Sequence, residues 1–98
     1  MLNPIYKKSG AHNLFDLEIK ICQVVQKTLC ENLPQNELSK PITPQSTMAT
    51  VEEWDSLSFV NVFLSVSAHF QIDVEEDDAI HFQSIQGIRE LIEVIREL

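Results

Sequence analysis

Residues 56–72 contain no Asp, Glu, Lys or Arg. At 100° per residue, Ser58, Asn61, Ser65 and His69 form one narrow polar stripe. Leu57, Phe59, Val60, Val62, Phe63, Leu64, Val66 and Phe70 take up the remainder. A helix this apolar is buried on most sides, or buried on one side and held against a partner on the other. Asp55 is a favourable N-cap, so the helix is predicted to start at Ser56. The rest of the fold has to provide the surfaces that cover it.

The flanking segments read as further helices. Leu14, Leu17, Ile21, Val24, Val25 and Thr28 recur at spacings of three and four, which predicts a first helix with Asn13 as its cap and Asp16 in its first turn. Pro34 stops it shortly after Cys30. Residues 32–54 hold Pro34, Pro41 and Pro44 among Asn, Gln, Ser and Thr, and predict a long loop. A loop of that length is unusual in a small domain and is often functional. Some of Ile42, Met48, Val51 and Trp54 should tack it onto the helices. Ile72 and Val74 lead into Glu75-Glu76-Asp77-Asp78, acids suited to the first turn of a short third helix. Ser84 should cap a fourth, with Ile85, Ile88, Leu91, Ile92 and Ile95 on one stripe. With only two Gly and four Pro in 98 residues, the expected class is all-α: a four-helix bundle with a short third helix and a long loop between the first two. Residues 1–12 read as a flexible N-terminal arm and 13–98 as the domain.

Charge narrows the function classes. Fifteen acids against seven bases give a net charge of −8, so nucleic acid is not an expected partner. The imbalance is local. Residues 1–48 hold five bases and four acids, whereas residues 49–98 hold eleven acids and two bases. The second half therefore sets the long-range field and favours a basic partner. The start, Met-Leu-Asn-Pro-Ile-Tyr-Lys-Lys, has neither the apolar run nor the small-residue site of a secretory signal. No run of 18 apolar residues predicts a membrane span. A soluble cytoplasmic monomer with free thiols is expected.

Most catalytic signatures are missing. There is no glycine-rich phosphate loop, no G-x-S-x-G elbow and no H-E-x-x-H. His12, His69 and His81 are far apart, and no C-x-x-C pair suggests zinc. A calcium loop starting at Asp73 would need Gly at its sixth position and Glu at its twelfth, where Asp78 and Ser84 stand. Cys22 borders the apolar stripe and reads as core; Cys30 lies opposite and reads as an exposed thiol.

The Asp55-Ser56-Leu57 triplet, in this context, resembles the acyl carrier and peptidyl carrier protein family. A long loop precedes it. An apolar helix follows and ends in Phe70-Gln71-Ile72, then come a short acidic helix and a final helix opening at Ser84-Ile85. The likeness spans residues 14–98, and Glu53-Trp54-Asp55-Ser56-Leu57 looks most like stand-alone carriers of specialised pathways. It implies an acyl-carrier-like bundle that is not an enzyme. Ser56 would bear 4′-phosphopantetheine, derived from coenzyme A, whose thiol holds cargo as a thioester. Implied partners are a phosphopantetheinyl transferase, an acyl- or aminoacyl-loading ligase and a downstream acyltransferase or synthase. Asp55 would assist recognition by the transferase, and Leu57 would be an exposed apolar contact. Asn61, Leu64, Ser67 and Ala68 would face partners, and Val60, Phe63, Val66 and Phe70 would face the first and fourth helices. Bulk fatty-acid carriers usually place acids along that partner face, whereas Asn61, Ser67 and Ala68 are neutral. Dedicated partners follow, docked by apolar and hydrogen-bond contacts, with Glu52, Glu53, Asp55 and the 75–78 run supplying the charge.

The residues leave three rivals open. One is a carrier-like interaction subunit without a cofactor. Another is an unrelated four-helix adaptor that binds a helix in its apolar groove. The third is a small hydrolase with a Ser or Cys nucleophile, which needs an oxyanion pocket.

Overall fold

The structure, a computed structural model, describes residues 9–31 and 33–97. Three α-helices, α1 (Ser9–Cys30), α2 (Ser56–Phe70) and α3 (Ile85–Glu97), and a 3₁₀ segment (Glu76–Gln83) make up the all-α, four-helix fold predicted. Among the described residues there is no strand, only an isolated bridge between Thr47 and Ser84. No described helix is long and apolar enough to cross a membrane.

Helix α1 starts earlier than the sequence suggested. It is in place from Ser9, which puts Asn13 inside the helix rather than at its cap and leaves no acid in the first turn, so Asp16 does not sit there. Nothing in Ser9-Gly10-Ala11-His12 forbids helical backbone, and a capping residue without a breaker before it does not stop a helix from extending backwards. Residues 1–8 of the expected arm, and the Leu14 side chain, lie outside what is described. Of the expected inward face, Ile21 and Val25 are buried and Leu17 and Val24 pack against the core; Cys22 is buried as expected, and Leu29, which was not on the predicted stripe, is buried with them. Thr28 is buried with its hydroxyl donating to the Val24 carbonyl at 2.8 Å.

Helix α2 packs against α1 and the 3₁₀ segment, while α3 packs against α1 and the 3₁₀ segment. The expectation that α2 would face the last helix is met at its C-terminal end, where Arg96 of α3 lies over the Phe70 ring, 5.6 Å from its centroid. Elsewhere the 3₁₀ segment is the nearer neighbour, and Phe63 meets Phe82 edge to face at 4.9 Å and 73°. On α2 the buried residues are Val62, Val66 and Phe70. Val60 was expected among them and is 52% exposed. Two residues apart, Val60 and Val62 point roughly 160° away from each other on a helix, so one stripe cannot bury both. The helix ends at Gln71 in left-handed backbone (φ 53°), with the Ile72 amide donating to the Ser67 carbonyl at 3.1 Å.

The acids at 75–78 do what the helix dipole favours. Glu75 is the cap residue, Glu76, Asp77 and Asp78 form the first 3₁₀ turn, and the Glu75 amide donates to Asp78 Oδ2 at 2.9 Å. Ser84 caps α3, its Oγ accepting from the Gly87 amide at 2.9 Å. Ile85, Ile88, Leu91 and Ile92 are buried along α3, and Ile95 packs beside them. Arg89 Nε lies 2.9 Å from Glu18 Oε2, an ion pair to α1 without hydrogen-bond alignment, and Nη1 donates to Glu93 at 2.9 Å. Gly87 is required by a close approach. A Cβ there would meet the His81 carbonyl oxygen at 2.5 Å, so the 3₁₀ segment could not turn so tightly into α3.

The long loop is irregular in backbone but firmly attached. Ile42, Val51 and Trp54 are buried, and Leu38 and Met48 pack against the core. Gln26 Oε1 on α1 accepts from the Ile42 amide at 3.2 Å. The Met48 amide donates to the Gln83 carbonyl at 2.9 Å, and the Ile85 amide to the Ser46 carbonyl at 3.1 Å. These bonds join the middle of the loop to the turn before α3.

Candidate functional site

The site forms where the anchored loop becomes α2. Trp54, 1% exposed, fixes the last loop residue in the core. Its amide donates to the Val51 carbonyl at 3.1 Å, closing a tight turn. Asp55 follows in extended backbone (φ −105°, ψ −171°), and its Oδ1 accepts from the Ser58 amide at 2.9 Å. The Phe59 amide donates to the Asp55 carbonyl at 2.8 Å, the first bond of the helix. Ser56 is therefore the first residue with helical backbone. It is exposed, and so are its neighbours Asp55 and Leu57.

The Ser58 amide holds the Asp55 carboxyl below its usual range, with its own burial opposing weakly. A carboxyl whose folded value is depressed adds stability that is complete above the unfolded value, about pH 4, and is lost as the pH falls through the folded value. Asp55→Asn keeps an acceptor that does not titrate. The variant should fold, and its stability should fall less steeply than wild type below about pH 4 in acid titrations followed by far-UV circular dichroism. An equal slope would remove Asp55 as the titrating cap. Glu53 is also held low, first by its own backbone amide and then by Ser39. Ser39 donates its amide at 3.0 Å and its hydroxyl at 3.1 Å to the Glu53 carboxylate. That contact ties the start of the loop to the residue two before Asp55.

Beyond Ser56, the outer face of α2 is apolar and neutral. Leu57 is 83% exposed, Val60 52% and Leu64 58%; Asn61 and Ala68 are exposed with them. Ile80 of the 3₁₀ segment adds to the exposed apolar surface. Glu52, Asp55, Glu75, Glu76 and Asp77 are exposed. Ser67 does not join the outer face as expected. It is half-buried, with its hydroxyl spent on the Phe63 carbonyl at 2.7 Å. Asp55, Ser56, Leu57, Asn61 and Leu64 are thus all exposed, on or beside one helix. The exposure of Val60 and Ile80 was missed, although the wheel position of Val60 already signalled it.

The chemistry open to this arrangement is limited. Ser56 offers an accessible primary hydroxyl. His69 lies about 20 Å farther along α2 by helical rise, too far to act as its base. Burial pushes the Cys22 thiol up to about 11, with the Glu18 carboxylate adding to the effect, so it is not a poised nucleophile. Among the described residues no group of three His, Cys, Asp or Glu is arranged to hold a metal ion.

No protein-family model matches the chain, and neither a curated protein nor a solved structure is significantly similar to it.

Proposed function

We propose that the chain is a discrete acyl or aminoacyl carrier protein, not itself an enzyme, with 4′-phosphopantetheine esterified to Ser56. The observation that carries the reading is the presentation of Ser56. Its hydroxyl is exposed at the first helical position, on a backbone held from below by Trp54 and from the side by the Asp55 cap. The order of elements adds support: an anchored long loop, an apolar helix opening at Asp55-Ser56-Leu57, a short acidic 3₁₀ segment and a final helix capped by Ser84.

Installation would transfer the phosphopantetheinyl group from coenzyme A. The Ser56 oxygen forms the new phosphorus–oxygen bond, the pyrophosphate bond breaks, and 3′,5′-ADP leaves. The serine proton passes to a base of the transferase. The cofactor supplies a flexible tether ending in a thiol that holds cargo as a thioester. The chain's own residues supply address and geometry. The Asp55 carboxylate already occupies the positive end of α2, so the helix dipole contributes only part of the field at an added phosphodiester. Leu57, Val60, Leu64 and Ile80 offer apolar contact to partners, and the exposed acids at 52, 55 and 75–77 offer charge to a basic rim. The implied partners are the phosphopantetheinyl transferase, a loading ligase and a downstream acyltransferase or synthase of a specialised pathway.

The test is intact-protein mass spectrometry after coexpression with a broad-specificity phosphopantetheinyl transferase. The expected result is the gain of one phosphopantetheinyl group, complete loss of that gain in Ser56→Ala, and unchanged circular dichroism. A folded wild-type chain that stays unmodified with transferase and coenzyme A overturns the reading. It would favour the second one, an interaction subunit without cofactor that uses the same exposed apolar surface of α2.

A further inference from the structure

We propose that the groove between α1 and α2, on the side of α2 turned away from Ser56, seats an acidic amphipathic helix of a partner protein. Around α2, Ser65 and His69 lie roughly 180° and 140° from Ser56, so the floor of this groove is turned away from the hydroxyl, while Asn61 and Leu64 at its edge are shared with the exposed face of α2. It has one hollow of about 340 Å³ lined by Lys20, Val24, Lys27, Ser65 and His69. A second hollow of about 300 Å³ shares Thr28, Glu31 and Ser65 with the first and reaches Asn61 and Leu64. From Lys20 to Glu31 the groove runs about 16 Å along α1, the length of about three helical turns.

Its charge balance runs against that of the protein, with two lysines to one acid, Glu31, along the hollow. The chain carries a net −8, yet Lys20 and Lys27 line the same hollow with His69 facing them from α2. Both lysines are exposed, and neither pairs with a carboxylate among the described residues. Seven residues apart on one helix, they lie about 10.5 Å from each other on the same face. Two carboxylates seven residues apart on a docked helix repeat that spacing. Leu64, 58% exposed, and the partly buried Val24 give such a helix an apolar seat between the charges. Glu31, the acid at the other end, lies where the partial positive charge of an incoming helix N-terminus would be favourable. The partner helix would then run antiparallel to α1. A small anion fits less well. The buried Thr28 hydroxyl is already committed to the Val24 carbonyl, and Glu31 lines the hollow beside the two lysines.

The test uses the full chain, ¹⁵N-labelled, both as wild type and as Ser56→Ala, so its outcome does not depend on the carrier reading. The probe is a helix-stabilised 14-residue synthetic peptide with leucines on one face flanked by two glutamates seven residues apart. Its control has lysines in place of those glutamates. Amide shifts are expected at Val24, Lys27, Leu64, Ser65 and His69, equally in both proteins. Affinity should fall about tenfold in Lys20→Glu/Lys27→Glu and fall with added salt, and the lysine peptide should bind at least about tenfold more weakly. If that double variant unfolds, Lys20→Gln/Lys27→Gln replaces it and should show a smaller loss of the same sign. The proposal is overturned by equal affinity for the two peptides, or by shifts centred on Leu57, Val60 and Ile80. It is equally overturned by the same shifts with citrate at the same concentration, by concentration-dependent groove shifts without peptide, or by no groove shifts at millimolar peptide.

Discussion

Trp54→Ala is expected to lower the free energy of unfolding by about 3–5 kcal/mol, the usual cost of emptying a fully enclosed aromatic site. Trp54 is 1% exposed and is the last loop residue before the Asp55 cap. Removing its ring takes away the support under the start of α2 as well as core volume. Urea titrations followed by far-UV circular dichroism measure the loss, because the variant no longer carries the chain's single tryptophan. Trp54→Phe should retain most of the stability. The indole N–H is buried without an acceptor among the described residues, so its removal sacrifices no bond seen there. If Trp54→Ala costs under about 1 kcal/mol, the loop is not anchored through this side chain.

Phe82→Ala should cost a similar amount, about 3–5 kcal/mol. Phe82 is fully buried, lies at the irregular point of the 3₁₀ segment (φ −89°, ψ 18°) and receives the Phe63 ring edge to face. Through this ring the 3₁₀ segment packs directly against α2. Val60→Ala is the matched control. Its side chain lies on the outer face, and the change should stay within about 0.5 kcal/mol. Chemical denaturation of the two variants in parallel separates the readings. A large loss in Val60→Ala would mean that the outer face of α2 is covered within the molecule.

Much of this arrangement was legible in the residues. The α3 stripe, the Ser84 and Asp55 caps and the apolar α2 are strong periodic or capping signals that depend on near neighbours only, and the helices follow them. Where the reading went astray, distant contacts or missing signals were responsible. Val60 was assigned inward by likeness to a pattern, although its angle from Val62 forbids a shared stripe. Asn13 was a plausible cap, but without a proline or similar breaker before it the helix simply starts earlier. Gly87 gave no local sign of its importance, because the carbonyl it accommodates belongs to the preceding turn of a different element. The candidate site rests on Asp55-Ser56-Leu57, three neighbouring residues read directly from the sequence, and all three are exposed. The groove with Lys20, Lys27 and His69 was invisible in the sequence, since two helices far apart along the chain contribute to it.

The bonds joining Ser46 and Met48 to the residues around Ser84 have a temporal meaning as well. They bracket α2 in the chain, so the segment carrying Ser56 is enclosed only when contacts distant in sequence have formed, the step that entropy makes slowest. A nascent or partly folded chain would offer the same hydroxyl on a wandering backbone, without the fixed cap and helix beneath it. Any enzyme that reads the shape around this serine therefore also inspects whether the molecule has finished folding.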